Sequence, residues 1–276
     1  MVFLKVLGII GLVYVTYGVT LFTMQRSMMF PRRYAQPPVK GVRVENMKKV
    51  WLITSKGKVE AWYIPAKDTV EGVKRPAVIF SHGNGELIDY CIEEFLPYNI
   101  LGVDLMLVEY PGYGRSRGKP SQRAIREVTV NAYDWLKDQE DIDSNKIIAH
   151  GRSVGGGASC ALTKEREIGA LILQSTFTDT KQFARHYLLP PFLILDRFDN
   201  KRVLKSYNRP VLLIHGEHDE VIPYKNSVEL SKVVKNATFI TYNCRHNDCP
   251  PDVYQYWKDI QKFLETNGII SSKSES

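Results

Sequence analysis

Gly151-Arg152-Ser153-Val154-Gly155 is the stretch that decides the fold of this 276-residue chain. It follows the apolar run from Lys146 to His150 and precedes a run of small residues from Gly156 to Leu162. A G-x-S-x-G pattern between a strand and a helix is typical of a nucleophile elbow, in which glycines remove the side chains that would clash at a sharp turn. The helix that follows directs its free N–H groups and positive dipole at the serine. The stretch therefore predicts that Ser153 is a nucleophile.

Apolar runs of strand length lie on both sides of the elbow. The first two, 50–54 and 59–64, flank Lys56-Gly57 and predict a hairpin. Further strands are predicted over 76–81, 104–110, 146–150, 170–174, 210–215 and 237–242, with helices over 121–140, 224–234 and 252–266. A leading hairpin followed by alternating strands and helices predicts an α/β fold with a mostly parallel central sheet and helices on both faces.

A serine hydroxyl needs a base within hydrogen-bond reach, and the base needs an orienting carboxylate. Asp219 lies just beyond the strand 210–215, at the sheet edge where open α/β sheets place their ligand sites. His246 lies in a polar loop between the last strand and the last helix. We expect Ser153, Asp219 and His246 to form a catalytic triad. Weaker alternatives for the acid are Asp179, Glu217 and Glu220.

The loop after the third strand, 81–86, reads Ser-His-Gly-Asn-Gly-Glu and contains two glycines that let its backbone approach a substrate closely. An oxyanion hole takes one backbone N–H from such a loop and one from the residue after the nucleophile. We expect these donors to be Asn84 and Val154, with Gly83 or Gly85 as alternatives to Asn84. The alternative interpretation of the loop is an ordinary strand–helix turn.

A second glycine-rich segment, 110–118, has the spacing G-x-G-x-x-x-G. It differs from the dinucleotide fingerprint G-x-G-x-x-G, and Lys119-Pro120 follows its third glycine where a helix should begin. We interpret it as a structural turn beside the active site and expect no cofactor. His215, His218 and Asp219 lack a strong further ligand cluster, so we expect no metal site either.

The N-terminal segment Val6–Met24 contains 19 residues without a charge. At about 1.5 Å per residue, this run is just long enough to cross the hydrocarbon core of a bilayer. We expect residues 1–24 to be a single-pass membrane anchor, with a cleaved signal peptide as the main alternative. The proline-containing segment 25–45 is predicted to be a linker. Arginines after the run favour a cytoplasmic domain by the positive-inside rule, although the side of the membrane stays open.

The net charge of +7 is consistent with attraction to an anionic membrane surface or to an acidic partner. Because the basic residues are dispersed and no binding motif is present, we expect no nucleic acid and no obligatory protein partner.

The four cysteines show no C-x-x-C spacing, which argues against zinc and thioredoxin-like chemistry. Cys244 and Cys249 would form a short-loop disulfide only in an oxidising compartment, so their pairing stays open.

Five motifs carry a resemblance to a known family. In chain order they are HGNGE (82–86), EYPGYGRSRG (109–118), GRSVGG (151–156), HGEHDEVIP (215–223) and RHND (245–248). In this order and spacing they resemble the α/β-hydrolase superfamily, in particular its membrane-anchored subgroup with a reduced lid, which includes acyl-protein thioesterase-like and lysophospholipase-like members. The resemblance implies an α/β-hydrolase domain over 46–268, a short lid over 176–208 and a disordered tail over 269–276.

This resemblance implies a serine hydrolase that cleaves ester or thioester bonds of small-molecule, lipid-like or acylated substrates through an acyl-enzyme. The apolar lid segment 186–195 is either an acyl-chain wall or membrane-touching flap, or a helix packed on the sheet. Two other functions stay open. One is a serine aminopeptidase, for which Glu86 and Asp89 would supply an acidic pocket. The other is a non-catalytic scaffold that binds a ligand or partner.

Overall fold

The apolar runs of the sequence come together in one sheet. The computed structural model describes residues 1–67, 70 and 72–272, and these contribute eight strands in the spatial order β1-β2-β4-β3-β5-β6-β7-β8. The strands are β1 (Lys48–Thr54), β2 (Gly57–Ile64), β3 (Arg75–Ser81), β4 (Asp104–Val108), β5 (Ile142–Arg152), β6 (Ala170–Gln174), β7 (Val211–Gly216) and β8 (Ala237–Tyr242). β2 pairs antiparallel with both β1 and β4, whereas every later pair is parallel. The predicted mostly parallel sheet with a leading hairpin is confirmed.

Helices cover both faces of this sheet. Within the described residues they are α1 (Val2–Met29), α2 (Ile88–Phe95), α3 (Pro97–Ile100), α4 (Gln122–Lys137), α5 (Val154–Leu162), α6 (Lys181–His186), α7 (Asn200–Ser206), α8 (Lys225–Ser231) and α9 (Val253–Thr266). Side chains of α4, α5, α7 and α8 pack in the core on one face, and those of α2, α3 and α9 pack in the core on the other. Successive residues of β3 alternate between these two cores, because side chains of a strand point to opposite faces. Both faces of the sheet are therefore buried.

Side-chain caps fix where two of these helices begin. Ser121 accepts a hydrogen bond from the backbone N–H of Ala124 at 3.2 Å. Asp252 accepts one from the N–H of Gln255 at 3.0 Å and caps α9 in the same way. Each cap satisfies one of the N–H groups that have no partner within the first turn of a helix. These caps therefore fix the residues at which α4 and α9 begin.

The N-terminal helix is longer than the predicted anchor. α1 continues to Met29, and Phe30 is buried against Tyr110 and Tyr113 in a third apolar cluster. The helix therefore extends five residues beyond the predicted boundary at residue 24 and ends shortly before Pro31, which cannot continue it. α1 is long and apolar enough to span a membrane, and none of its residues is buried; a signal sequence would pass the same test.

The predicted lid contains a protruding part and a part of the core. α6 and a 3₁₀ turn at Pro191–Leu193 form the protruding part. An isolated bridge between Asp179 and Asp199 closes its stem, and Arg197 forms ion pairs with both aspartates. α7, in contrast, packs its Leu204 into the core of the sheet. The segment that rises over the sheet is therefore shorter than the predicted 176–208.

The C-terminal boundary also differs from the prediction. Ile269 is buried against the core beside α9, and its N–H donates to the carbonyl of Leu264 at 2.9 Å. The predicted disordered tail 269–276 therefore begins too early, because an apolar side chain just after the helix reaches the core. Residues 273–276 of that tail lie outside the described residues. The helix predicted over 224–234 is also shorter, since it covers Lys225–Ser231.

Candidate active site

The elbow forms at the junction of β5 and α5. Ser153 lies between them with φ of +54° and ψ of −117°, a left-handed conformation that costs on the order of 1–3 kcal/mol for a residue with a side chain. A Cβ on Gly151 would lie 2.2 Å from the carbonyl oxygen of Gly155. A Cβ on Gly155 would lie 1.9 Å from the carbonyl oxygen of Ser81 on β3. Both glycines are therefore required for the turn to form.

Three distant side chains meet at this turn. Ser153 Oγ lies 3.2 Å from His246 Nε2, and His246 Nδ1 lies 2.7 Å from Asp219 Oδ2. The carboxylate can only accept, so Nδ1 carries the hydrogen and Nε2 is free to accept the serine proton. The Ser153 residue is 9% exposed, which leaves its hydroxyl reachable from the adjacent cleft. The structure thus brings together all three residues of the predicted triad.

The carboxylate of Asp219 accepts hydrogen bonds at both of its oxygens. The backbone N–H groups of Val221 and Ile222 donate to Oδ1 at 2.9 and 2.7 Å. His246 and His215 face Oδ2, the latter with its Nε2 at 3.1 Å. Burial alone would raise the pKa of Asp219, but hydrogen bonds from His215, His246 and the Ile222 N–H outweigh it and hold the pKa well below its usual range. Asp219 is therefore ionised and fixed in orientation.

His215 is a second histidine beside Asp219, and the sequence motifs assign it no role in the triad. Its ring is fully buried, with Nε2 2.8 Å from the carbonyl oxygen of Ile222 and Nδ1 2.6 Å from Ser227 Oγ. The carbonyl only accepts, so Nε2 carries the hydrogen and Nδ1 accepts from the Ser227 hydroxyl. The sequence contains one signal that His215 contacts the acid, since His215 is the penultimate residue of β7 and lies four residues before Asp219.

The loop predicted to supply an oxyanion donor is held by side chains on three sides. Glu86 Oε2 accepts from the N–H of Gly83 at 2.7 Å, and the Tyr113 hydroxyl donates to the carbonyl of Asn84 at 2.7 Å. The Tyr110 hydroxyl donates to the carbonyl of His82 at 2.6 Å. The N–H of Gly83 is already used by Glu86, which disfavours that alternative. Both predicted donor residues line the cleft at the serine: Asn84 and Val154.

A buried charge network supports this loop. His82 Nε2 lies 2.7 Å from Glu109 Oε1, and Nδ1 lies 2.7 Å from the carbonyl oxygen of Gly83. Because both partners accept, both ring nitrogens donate and the imidazole is charged. Burial alone would lower the pKa of His82, but the Glu109 carboxylate raises it above its ordinary value. The loop is therefore attached to a fully buried ion pair.

Arg152 links the elbow to the same loop. Its guanidinium forms ion pairs with Glu86 at 3.0 Å and Glu94 at 2.7 Å, and it lies over the rings of Phe80 and Phe95. Burial would raise the pKa of Glu86, but the Arg152 charge lowers it below its ordinary value. Since Glu86 also holds the Gly83 N–H, the residue before the nucleophile helps to fix the position of the oxyanion loop.

The loop that carries His246 is closed by a disulfide. Cys244 and Cys249 are bonded, with their Cα atoms 5.3 Å apart. The sequence alone does not decide whether Cys244 and Cys249 pair, because pairing depends on their proximity and on the redox compartment. Disulfides are typical of extracytoplasmic proteins, so this bond favours a domain on the extracytoplasmic side of a membrane. The positive-inside rule favours the cytoplasmic side instead.

An uncharged cleft begins at Ser153. Its empty volume, including the open mouth, is about 970 Å³. Its walls are formed by α1, the lid and the predicted site: Leu21, Phe22, Gln25, Met28, Met29, Asn84, Ser153, Val154, Phe177, Thr180, Phe183, Ala184, Tyr187, Leu189, Leu193, Ile194, Val221 and Ile222. None of these lining residues is an acid or a base, so the cleft suits an apolar group. Among the described residues, no group of three or more His, Cys, Asp or Glu is arranged to hold a metal ion.

Comparison with known proteins gives the family. The model of the prolyl oligopeptidase family, Peptidase_S9, matches residues 122–242. The uncharacterized protein Rv2307c of Mycobacterium tuberculosis is 30% identical over 226 residues, which cover 80% of this chain and 79% of that protein. Lysophosphatidylserine lipase ABHD12 of Rattus norvegicus is 28% identical over 205 residues, which cover 65% of this chain and 49% of that protein.

Among solved structures, Est1E from Butyrivibrio proteoclasticus superposes with a TM-score of 0.66 at 21% identity, over 79% of this chain and 98% of that one. This similarity concerns the fold alone. The similar fold and the relatives in sequence agree with the five motifs that resemble the α/β-hydrolase superfamily. The chain belongs to the α/β-hydrolase superfamily, and its relatives in sequence support hydrolase activity.

Proposed function

We propose that this protein is a membrane-anchored serine hydrolase that cleaves carboxylic esters or thioesters with an apolar acyl group. The observation that carries the proposal is the hydrogen-bonded series Ser153–His246–Asp219 at the end of an uncharged cleft. The name of the relative ABHD12, a lysophosphatidylserine lipase, is consistent with a lipid-like substrate, although the chain spans about half of that protein. The span of α1 supports the anchor.

In the proposed reaction, Ser153 Oγ attacks the acyl carbonyl while His246 Nε2 accepts the hydroxyl proton. Asp219 stabilises the resulting imidazolium, because its ionised carboxylate lies 2.7 Å from Nδ1. The carbonyl oxygen becomes negatively charged, and the N–H groups of Asn84 and Val154 donate to it. His246 then protonates the leaving alcohol or thiol, and the C–O or C–S bond breaks to leave an acyl-enzyme on Ser153.

Water completes the cycle by the same path. His246 removes a proton from a water molecule, which attacks the acyl carbonyl, and the same ring returns that proton to Ser153 Oγ as the ester bond breaks. Each step uses only groups within the hydrogen-bonded series and the two backbone donors. No cofactor or metal takes part in this scheme.

The peptidase alternative lacks a site for a free amine among the described lining residues. Glu86 is occupied by Arg152 and by the Gly83 N–H. Asp89 is paired with Arg115, whose guanidinium is 2.8 Å away. Neither acid lines the cleft, so neither is available to recognise an amino terminus. The ester or thioester proposal therefore has more support than the aminopeptidase.

The test is substrate profiling of the detergent-solubilised full-length protein with p-nitrophenyl esters, acyl thioesters and aminoacyl amides. We expect turnover of esters or thioesters and a loss on the order of 10⁴ to 10⁶ in kcat for Ser153→Ala. Preference for aminoacyl amides would favour the peptidase instead. Absence of any turnover that depends on Ser153 would favour the non-catalytic scaffold and contradict the proposal.

A further inference from the structure

We propose that α1 is part of the substrate site as well as an anchor. In this proposal, which rests on the hydrolase function proposed above, α1 and the lid form a channel that takes the single acyl chain of an ester lipid directly from the surrounding leaflet. A channel open to lipid would let the chain reach Ser153 without first crossing water. Four features of the described residues support it: burial along α1, its polar contacts, the chemistry of the cleft and the position of the lid tip.

One face of α1 is covered while the rest of the helix is exposed. The partly buried positions of α1 are Gly18, Leu21, Gln25 and Met29, which we call the cleft face. Their spacing of three, four and four residues places them on one side of a helix. A helix that acted only as a tether would show no such face. This face, together with the neighbouring Phe22 and Met28, lies against the lid and the cleft.

Polar contacts fix α1 to the lid over several turns. The hydroxyls of Tyr14 and Tyr17 donate to the carbonyls of Leu188 and Tyr187 at 2.8 and 3.0 Å. One helical turn is about 5.4 Å, so these bonds are separated by nearly one turn along α1. They hold the tip of the lid beside the middle of the apolar run rather than beside its end.

Gln25 and Arg26 make the contacts nearest to the catalytic domain. The Gln25 side-chain amide donates to the carbonyl of Leu193 at 3.1 Å and accepts from the N–H of Leu195 at 2.9 Å. Arg26 forms an ion pair with Asp196 at 2.7 Å, and Asp196 also accepts from the N–H of Gln122 at the start of α4. Asp196 is almost completely buried, so α1 is attached to the body of the domain and not only to the lid.

The chemistry of the cleft selects the ligand. α1 contributes Leu21, Phe22, Met28 and Met29 to its wall, and the lid contributes further apolar side chains. Leu21 and Met29 are eight residues apart, which corresponds to about 12 Å along the helix. An acyl chain fits such a wall, whereas a charged head group would be left without partners among the described lining residues. We therefore place the chain in the channel and the head group outside it.

The lid tip indicates where the channel opens. Leu188 and Phe192 are 78% and 81% exposed, although both are large and apolar. The carbonyl of Leu188 is bonded to Tyr14, which lies near the centre of the uncharged run Val6–Met24. If that run lies in hydrocarbon, the tip of the lid must lie there too. The exposed tip then contacts lipid, and the mouth of the channel faces a leaflet instead of water.

The test uses the full chain in detergent micelles or vesicles and a series of p-nitrophenyl esters from acetate to laurate. Leu21→Trp fills the channel from the cleft face, whereas Val19→Trp places the same side chain on the exposed face of α1. We expect Leu21→Trp to lower kcat/KM for laurate by about 100-fold, since several methylenes lose their apolar contacts, and to lower it for acetate far less, because the short acyl group stays next to Ser153. Val19→Trp should leave both values near wild type.

Two results would overturn the channel while leaving the hydrolase proposal in place. One is an equal loss for acetate and laurate in Leu21→Trp, and the other is an equal effect of Leu21→Trp and Val19→Trp. If wild type turns over neither the esters, acetate included, nor the acyl thioesters, the hydrolase proposal itself fails and the channel proposal with it. The acetate rate therefore separates the two failures.

A second measurement does not depend on turnover. A monoacylglycerol with a photoreactive diazirine in its chain would be irradiated with the Ser153→Ala variant in vesicles, and the adducts located by peptide mass spectrometry. We expect adducts on 21–29 of α1 and on 183–194 of the lid. Adducts confined to 2–19 would indicate contact with bulk lipid only and would contradict the channel.

Discussion

Replacing His215 with phenylalanine should slow turnover while leaving Ser153, His246 and Asp219 in place. The substitution keeps the shape of a ring that is fully buried but removes its Nε2–H, which lies 3.1 Å from Asp219 Oδ2. A hydrogen bond to a charged group contributes about 1.5–3 kcal/mol. The rate depends only on how much stronger this hydrogen bond is in the transition state than in the ground state. We therefore expect kcat to fall about tenfold with little change in KM.

The same substitution should destabilise the fold. The Ser227 hydroxyl and the Ile222 carbonyl each lose their bond to His215. Burying a polar group without a partner costs about 1–3 kcal/mol, so the free energy of unfolding should fall by about 2–6 kcal/mol. Urea denaturation of the full-length protein in detergent, followed by tryptophan fluorescence, would measure the loss.

The pH profile gives a sharper readout of the role of His215. Its hydrogen bond is one of the causes that hold the pKa of Asp219 below the ordinary value. Asp219 therefore stabilises the fold above the pKa of an unfolded aspartate, and this stabilisation is lost as pH falls through the lower folded-state value. Removing the bond raises the folded-state pKa of Asp219, so the acid-induced loss of its stabilisation should be complete at a higher pH in His215→Phe than in wild type.

Ser227→Ala is the matched control, because it removes a partner of His215 but leaves Nε2 facing Asp219. We expect it to be less stable than wild type while keeping kcat within about twofold, since the hydrogen bond to the carboxylate remains. An unchanged kcat in His215→Phe, or the same loss of kcat in both variants, would refute the positioning role of His215.

Three further predictions concern stability and the catalytic loop. Burial lowers the pKa of His150 to about 3. Between pH 7 and pH 5 this ring becomes protonated in the unfolded chain but stays neutral in the folded state, so His150 alone should lower the free energy of unfolding by about 2 kcal/mol, and His150→Gln should lose that much less than wild type over the interval by urea titration. The Cys244→Ser/Cys249→Ser double variant should have a kcat several-fold lower than wild type and should not respond to dithiothreitol, whereas dithiothreitol should lower the kcat of wild type, because the disulfide closes the loop that carries His246; equal rates of reduced and oxidised wild type would contradict this. Gly155→Ala should abolish expression of folded protein, since its Cβ would lie 1.9 Å from the Ser81 carbonyl oxygen; a folded, active variant would contradict the elbow geometry.

The sheet and the three meeting residues were accessible from sequence because topology determines them. In a parallel sheet the carboxyl ends of the strands share one edge, so a serine after β5 and an aspartate after β7 are brought close together. His246 was found by its position between the last strand and the last helix. The shape of the fold, rather than local propensity, made Ser153, Asp219 and His246 predictable.

Features that depend on long-range contact were not predictable. His215 is a polar residue at the end of a buried strand, and sequence alone does not separate a structural histidine from one that holds an acid. Arg152 precedes the nucleophile, but its partners Glu86 and Glu94 lie about 60 residues earlier in the chain. Their pairing becomes visible only when β3 and β5 are neighbours.

The role of α1 was missed for a different reason. Hydropathy detects a run of uncharged residues and ends it at Arg26, whereas the helix continues until Pro31 is reached. The lid that covers the cleft face has no periodic pattern of its own. An anchor could thus be predicted, but its contact with the lid could not.

The most direct test of the account is covalent labelling of the full-length protein with a fluorophosphonate, followed by intact-mass measurement and peptide mapping. We predict one adduct per chain on Ser153, its loss in Ser153→Ala and a labelling rate at least about 100-fold lower in His246→Ala, because the hydroxyl then lacks its base. No adduct on wild type, or an adduct that persists in Ser153→Ala, would contradict the claim that Ser153 is the activated nucleophile.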